Sequence, residues 1–525
     1  MKNNIKALLM GTLFLLSGCA LESEIYDKIN PSIYPQTEGD LNALVAGSVY
    51  SVFSANGYNN FFNAANGFIT ANEIVSDVMT CTWGNWDTFE FNSYELNHPL
   101  VSNNFNEFKY YSRLGGMLLT LDRIQNSAAK ISDEKKARFI AETKCGIGFM
   151  AYLFYDLYGP IVLPDLEALK NPEKDKIIPR ATKEEMRTFI ETHLTEAAAV
   201  LPYRYGDASD YGRFTKGLAN TLLLKLYMHE GDWAKAVAIG KELVVTNVDK
   251  YGYKIEDDYY KLFSPGGSSS PEVIFFAGST KGALENNYQA HAYPADFPAD
   301  KYFSNAANAG VWGGYRMAWS FYRTYDKNDY RMTRIYGEYE SKTEKDKDGN
   351  PIVRNEENDR KSTSLPLYWG AVPGKYSMEG VIGEASACDI IVYRFADVTT
   401  LYAEALVRSG NSVPSEAKSY LNEIRTKHGK LPAFTDAELS TPEKFLDKML
   451  QERGHEFYME GVRRQDLIRH DKFIEKALEK AREYGYSTAK IETKENGQYK
   501  YLLFPIPQNI LTEGQGKIEQ NPGYK

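Results

Sequence analysis

The sequence predicts a mainly α fold, a scaffold of paired helices carrying a loop-rich lobe with short strands and hairpins. Three observations predict it. Apolar residues recur at helical spacing through the first half of the chain. Two segments, beginning near residues 217 and 402, repeat one helix–turn–helix pattern. Between about residues 251 and 389 that periodicity gives way to glycine, aromatics and turn residues.

At the start of the chain, Lys2 and Lys6 precede an apolar run of 10 residues, Ala7 to Leu16, and then Ser17-Gly18 lead into Cys19. The run is too short to span a bilayer, which takes about 20 residues, and has the layout of a secretion signal. Leu16-Ser17-Gly18-Cys19 resembles the lipobox of bacterial lipoproteins. That resemblance implies removal of residues 1–18 and lipidation of Cys19, each buried CH₂ of the lipid adding about 0.8 kcal/mol to the membrane hold. Residues 19–40 are polar, carry Pro31 and Pro35, and form a tether.

From Leu41 the helices begin. Leu41, Leu44, Val45, Val49, Val52 and Phe53 mark one apolar face, and Leu114, Met117, Leu118, Leu121 and Ile124 mark a second. Phe139 to Tyr158 is a longer apolar helix stopped by Gly159-Pro160. Ala219, Leu223, Tyr227, Gly231, Trp233 and Ala236 then have the offsets of a tetratricopeptide repeat. A second copy runs from Tyr402-Ala403-Glu404-Ala405 past Gly410 to Ala417, Leu421 and Ile424. Such units stack into a tetratricopeptide-repeat scaffold with a surface for a partner. In the intervening region Glu272 to Phe276 reads as a short buried strand, and Asp346 to Pro351 as the turn of a hairpin entering Ile352-Val353.

Composition narrows the function. The chain is 43% hydrophobic and 25% charged, which is globular, and its 38 tyrosines suit surfaces half wet and half buried. Without Lys2 and Lys6 there remain 59 basic against 70 acidic residues, a net −11, which excludes nucleic acid as a partner. Cys81, Cys145 and Cys388 permit one disulfide at most and read as buried free thiols.

Four stretches carry a wider resemblance: Arg394-Phe395-Ala396-Asp397 with Tyr402-Ala403-Glu404-Ala405; Arg453, Glu456, Phe457, Glu460, Gly461, Arg463, Asp466, Leu467 and Arg469; Phe504-Pro505-Ile506-Pro507 with Gln520-Asn521-Pro522-Gly523-Tyr524; and Asp156-Leu157-Tyr158-Gly159-Pro160. In these the chain resembles the SusD/RagB family of outer-membrane nutrient-binding lipoproteins from Bacteroidetes. Arg464 and His470 depart from the family, standing where relatives often carry aromatics. The resemblance implies a SusD-like fold with a single domain over residues 41–525: helical repeats at about 41–250 and 390–470, a ligand lobe at about 251–389, and a C-terminal tail at 471–525. It also implies a surface-exposed, lipid-anchored protein of the outer membrane that binds without turnover. The partners it implies are an oligosaccharide ligand, the membrane lipid of the anchor and a SusC-like TonB-dependent transporter that receives the cargo.

The signature residues have their own reading. Glu460, Arg463, Asp466 and Arg469 are spaced i,i+3, a ladder of alternating charge on one helix face. Exposed pairs of that kind contribute a few tenths of a kcal/mol each, so the ladder reads as scaffold. No zinc helix, P-loop, paired C-x-x-C or dinucleotide turn is present. Asp346, Asp348, Asn350 and Glu357 echo a calcium loop, but Pro351 breaks the pattern that loop requires. No catalytic residue, cofactor or metal is therefore assigned.

The candidate ligand surface is aromatic. Trp83-Gly84-Asn85-Trp86-Asp87 sets two indoles beside an amide and a carboxylate, and Trp312-Gly313-Gly314-Tyr315 forms a second candidate loop. Sugar rings offer apolar C–H faces and rims of hydroxyls, which flat rings with Asn and Asp can match. Tyr288 and Trp369 are weaker candidates. A peptide is the alternative cargo, and a lipid-anchored glycoside hydrolase, which would need two facing carboxyls, is the less favoured alternative function.

Overall fold

The computed structural model describes residues 34–524 apart from 56–59, 105, 172, 174–176, 281–285, 307–308 and 387. Cys19, the signal segment and most of the tether lie outside the described residues. No described helix is long and apolar enough to cross a membrane.

The first helix, α1 (Glu38–Ser48), starts at a capping box: the Thr37 hydroxyl accepts the Asp40 N–H at 3.1 Å, and the Asp40 carboxylate accepts the Thr37 N–H at 3.0 Å. α2 (Phe68–Ile74) and β1 (Met79–Cys81) follow. α3 (Tyr111–Gln125) then leads into α4 (Asp133–Tyr158). α4 begins six residues before the apolar run because Ser132 caps it, its hydroxyl accepting the Lys135 N–H at 3.3 Å. Its second half, from Cys145 to Tyr158, is buried all round, packed between α3 and α5 (Lys183–Val200). α6 (Lys216–Glu230) and α7 (Trp233–Lys241) form the first repeat, turning at Gly231 with φ +70°.

The loop-rich lobe contributes β2 (Val273–Ala277), α8 (Tyr288–Ala292), β3 (Tyr315–Met317), the hairpin β4 (Glu338–Lys345) and β5 (Pro351–Asn355), and β6 (Ile390–Arg394). β1 pairs with β3 and β2 with β6, so both ladders are built from distant segments. The β4–β5 turn is closed by the Asp346 carboxylate, which accepts the N–H groups of Asp348 and Asn350 at 2.9 Å each. This is turn chemistry, as the sequence predicts.

β6 runs directly into α9 (Phe395–Gly410), which pairs with α10 (Ser415–Lys427) as the second repeat; α11 (Pro442–Glu456) and α12 (Arg463–Arg469) complete the scaffold. α7 packs on α9, so the two repeats are neighbours although the whole loop-rich lobe separates them in sequence. Gly240 lies at this interface, where a Cβ would stand 2.6 Å from the Tyr402 ring. Cys81, Cys145 and Cys388 are buried free thiols, as expected.

The charge ladder is corrected by the structure. Between α11 and α12 the chain turns through Met459 (φ 62°) and Gly461 (φ 77°), so Glu460 is off the helix. Of the three i,i+3 pairs only Asp466–Arg469 forms, at 2.8 Å. The residues are buried, and each reaches another element. Arg394 donates to Glu272 (2.8 Å), Glu456 (2.6 Å) and Glu460 (2.7 Å). Lys375 reaches Glu460 at 2.5 Å, and Arg331 pairs with Asp329, Glu452 and Glu456. Arg453 holds Asp397 and Asp466, Arg463 holds Asp77, and Arg469 holds Glu404. The role as scaffold stands, but as a desolvated network clamping the loop-rich lobe to the helices.

The remaining resemblance stretches meet at the end of α4. Arg464 donates to the Asp156 carboxylate (3.2 Å) and carbonyl (2.9 Å), and its guanidinium lies 5.4 Å from the Phe504 ring centre. Asn521 donates to the Tyr158 carbonyl at 2.9 Å. His470 sits 3.1 Å from Glu404. The two departures from the family pattern are thus accommodated by polar partners.

Candidate functional site

The β1–β3 ladder sets Cys81 opposite Tyr315. Because the strands run antiparallel, the residues after Cys81 and those before Tyr315 leave the ladder at the same end. Trp83 and Trp312 therefore leave the ladder at one end, where both reach His291. Thr82 extends the pairing, its N–H donating to the Gly314 carbonyl (2.7 Å) and its hydroxyl to the Gly313 carbonyl (3.1 Å). Trp83 lies against Gly314 so closely that a Cβ there would stand 2.4 Å from its ring. The glycine is required by this contact.

α8 supplies the centre of the cluster. His291 stacks on Tyr315 (centroids 5.4 Å apart, planes 19° apart) and meets Trp312 at 4.7 Å and Trp83 at 5.6 Å in T-shaped contacts. Its Nδ1 lies 2.8 Å from the Asn287 carbonyl, an acceptor, so that nitrogen carries the proton. Burial lowers the imidazole pKa to about 4, and the ring is neutral at physiological pH. Trp86 closes the cluster behind Trp83, with centroids 5.2 Å apart.

Trp312 is 37% exposed, and its indole N–H donates to Glu384 Oε1 at 3.0 Å. Glu384 is carried by a turn that docks on the Trp312 loop through Gly310 N–H and the Gly383 carbonyl. Two residues before Glu384, Ile382 is 60% exposed. Trp83 is half-buried, Asn85 exposed and Asp87 half-buried, its carboxylate accepting the Thr88 N–H at 2.7 Å. The result is a shallow indole surface with the Glu384 carboxylate at its edge, a surface that can cover a flat apolar ligand face and take hydrogen bonds beside it.

The structure brings the two candidate loops together and divides their residues. Trp83 and Trp312 keep surface in water. Trp86 is 6% exposed and Tyr315 0%, so both are the floor of the cluster and not outward plates. The Tyr315 hydroxyl donates to the Ala65 carbonyl. Tyr288 and Trp369 are corrected as well. Tyr288 is buried against Tyr376 (4.8 Å) with its hydroxyl on the Pro373 carbonyl. Trp369 is buried in a stack on Tyr484 (5.6 Å), its N–H directed to the Thr363 carbonyl. The sequence reading missed His291, Glu384 and Ile382, none of which carries a local signal tying it to a tryptophan.

Glu272, His428 and Glu456 have the spacing of metal ligands, their ligand atoms within 4.8 Å of one another. Arg394 donates to both of these carboxylates and Arg331 to one of them, so the group is an ion-pair cluster.

Residues 271–524 match the sequence model of the SusD family. Comparison with curated proteins finds no match. Among solved structures, a SusD homolog from Bacteroides thetaiotaomicron VPI-5482 has a TM-score of 0.72 at 19% identity, covering 94% of this chain and 98% of that one. A laminarin binding SusD-like protein has a TM-score of 0.70 at 21% identity over 93% of this chain and all of the other. Surface glycan-binding protein A from Bacteroides thetaiotaomicron, solved in complex with laminarihexaose, has a TM-score of 0.68 at 18% identity over 93% of this chain and 100% of that one. At such identities the likeness establishes the fold.

Proposed function

This chain belongs to the SusD family, and from that premise we propose that it is a cell-surface lipoprotein that captures an oligosaccharide and hands it to a TonB-dependent outer-membrane transporter. One observation carries the reading: Trp83 and Trp312, distant in sequence, join one aromatic cluster and are both still partly exposed. Two proteins of the same fold, one described as laminarin binding and one held with laminarihexaose, support glycan as the cargo. The lipid at Cys19 tethers the body to the membrane, the helical-repeat face docks on the transporter, and the cargo is held and released unchanged.

Covering one indole face removes roughly 60 Å² of apolar surface, about 1.5 kcal/mol at about 25 cal/mol/Å². A few such contacts must offset association costs of at least about 4 kcal/mol. Binding between about micromolar and millimolar follows, which suits a protein that passes its cargo on. The test is affinity electrophoresis and calorimetry of the soluble body with laminari-oligosaccharides and other neutral glycans. Trp312→Ala is expected to weaken binding about tenfold with an unchanged melting temperature. Unaltered binding in that variant, or steady release of new reducing ends, overturns the reading.

A further inference from the structure

We propose that the paired clefts on either side of Tyr211 form a second oligosaccharide site, separate from the Trp83–Trp312 surface and built for a neutral ligand. The loop joining α5 to α6 folds over the start of β2 and leaves a cleft of about 510 Å³ on one side of Tyr211 and one of about 430 Å³ on the other. Both fall within the roughly 300–1,000 Å³ range of small-molecule sites. Tyr211, Gly212, Arg213, Phe275 and Phe276 line both, so a linear ligand entering one continues past Tyr211 into the other.

Tyr211 is 57% exposed, and it is held in place. Its ring leans on Phe276 at 5.1 Å between centroids, and its hydroxyl donates to Ser268 Oγ at 2.7 Å. Ser268 in turn donates to Asp389, whose other oxygen accepts the Ser279 N–H at 2.7 Å. A plate fixed at both ends loses little freedom when a ligand covers it. The other tyrosines of the first cleft are committed elsewhere. Lys216 and Lys250 lie over Tyr203, at 4.7 and 5.4 Å from its ring centre. Tyr205 donates to the Phe214 carbonyl at 3.1 Å, and Tyr251 stacks on Tyr253 at 5.3 Å.

The charges in the lining balance. Arg204 and Arg213 face Asp207 and Asp210 in the first cleft, and Arg213 faces Asp389 in the second. Arg213 is already paired with Glu142 (2.9 Å) and Asp210 (2.7 Å). Such a lining selects neither acidic nor basic ligands. What it offers is one flat ring with a rim of exposed polar groups, Asn42, Asp207, Ser209 and Ser269, the complement of a sugar's C–H face and hydroxyls.

The class of ligand is shared with the capture reading above, so the test separates the two sites. Calorimetry and affinity electrophoresis compare the wild type with Tyr211→Ala, Tyr211→Phe, Trp312→Ala and the Tyr211→Ala/Trp312→Ala pair, using laminarihexaose, cellohexaose, maltohexaose and a neutral hexapeptide. For at least one of the sugars, Trp312→Ala is expected to keep residual binding. Tyr211→Ala weakens that component about tenfold, Tyr211→Phe restores it, and the double variant is weakened at both sites. Because Tyr211 is more than half exposed, melting temperatures are expected to match the wild type. Binding that survives Tyr211→Ala unchanged, or a cleft that takes only the peptide, overturns this proposal alone. A wild type that binds none of the sugars overturns both.

Discussion

Gly314 supports the aromatic cluster from beneath, because Trp83 occupies the space in which any side chain would begin. Gly314→Val forces the indole outward, an overpacking that costs about 1–3 kcal/mol. The expected outcome is a red-shifted tryptophan emission, a modest fall in melting temperature and weaker glycan retention. Emission and retention like the wild type would show that Trp83 does not depend on that contact. The sequence makes Trp83 and Trp312 legible, since indoles in glycine-bearing loops are candidates for exposure. It does not reveal Tyr315 as floor. β3 is three residues long and buried at every position, so no alternation distinguishes an inward from an outward side. His291 is equally silent, because only the fold sets α8 between the two loops.

The helices were the most legible elements. The tetratricopeptide offsets are local, and Gly231 ends α6 in a left-handed cap where the pattern requires a turn. That α7 packs on α9 is not local, and no spacing announces it. At Gly240 that packing leaves no room for a side chain. Gly240→Leu is expected to separate the repeats, lowering the melting temperature in a thermal scan with an overpacking cost of about 1–3 kcal/mol. A melting curve like that of the wild type would mean the interface yields at no cost. The charge ladder was misread for an elemental reason. An i,i+3 argument holds only within one helix, and the left-handed turn at Met459 and Gly461 keeps Glu460 off α12. Arg463 and Asp466, which do share α12, are paired with Asp77 and Arg453 on other elements.

Across the whole molecule, helices and loop-rich lobe are joined by buried charge, and the balance of that charge depends on His428. The imidazole is wedged against Glu456 (2.6 Å) and Glu272 (3.4 Å), both held by Arg394, with the Tyr259 ring 5.3 Å away. Burial alone would lower its pKa, but the Glu456 and Glu272 carboxylates overrule burial and raise it to about 10. A pKa higher in the folded than in the unfolded chain gives stability that is full below the ordinary value near 6.5 and lost as pH climbs towards 10. His428→Gln removes the charge and leaves two buried carboxylates short of a partner, at a cost of about 3–5 kcal/mol. The difference in melting temperature between wild type and variant is therefore expected to be largest near pH 6 and to shrink steadily towards pH 9.5. A difference independent of pH would mean that His428 is neutral in the fold, and the cations joining the two lobes would then be the arginines and Lys375.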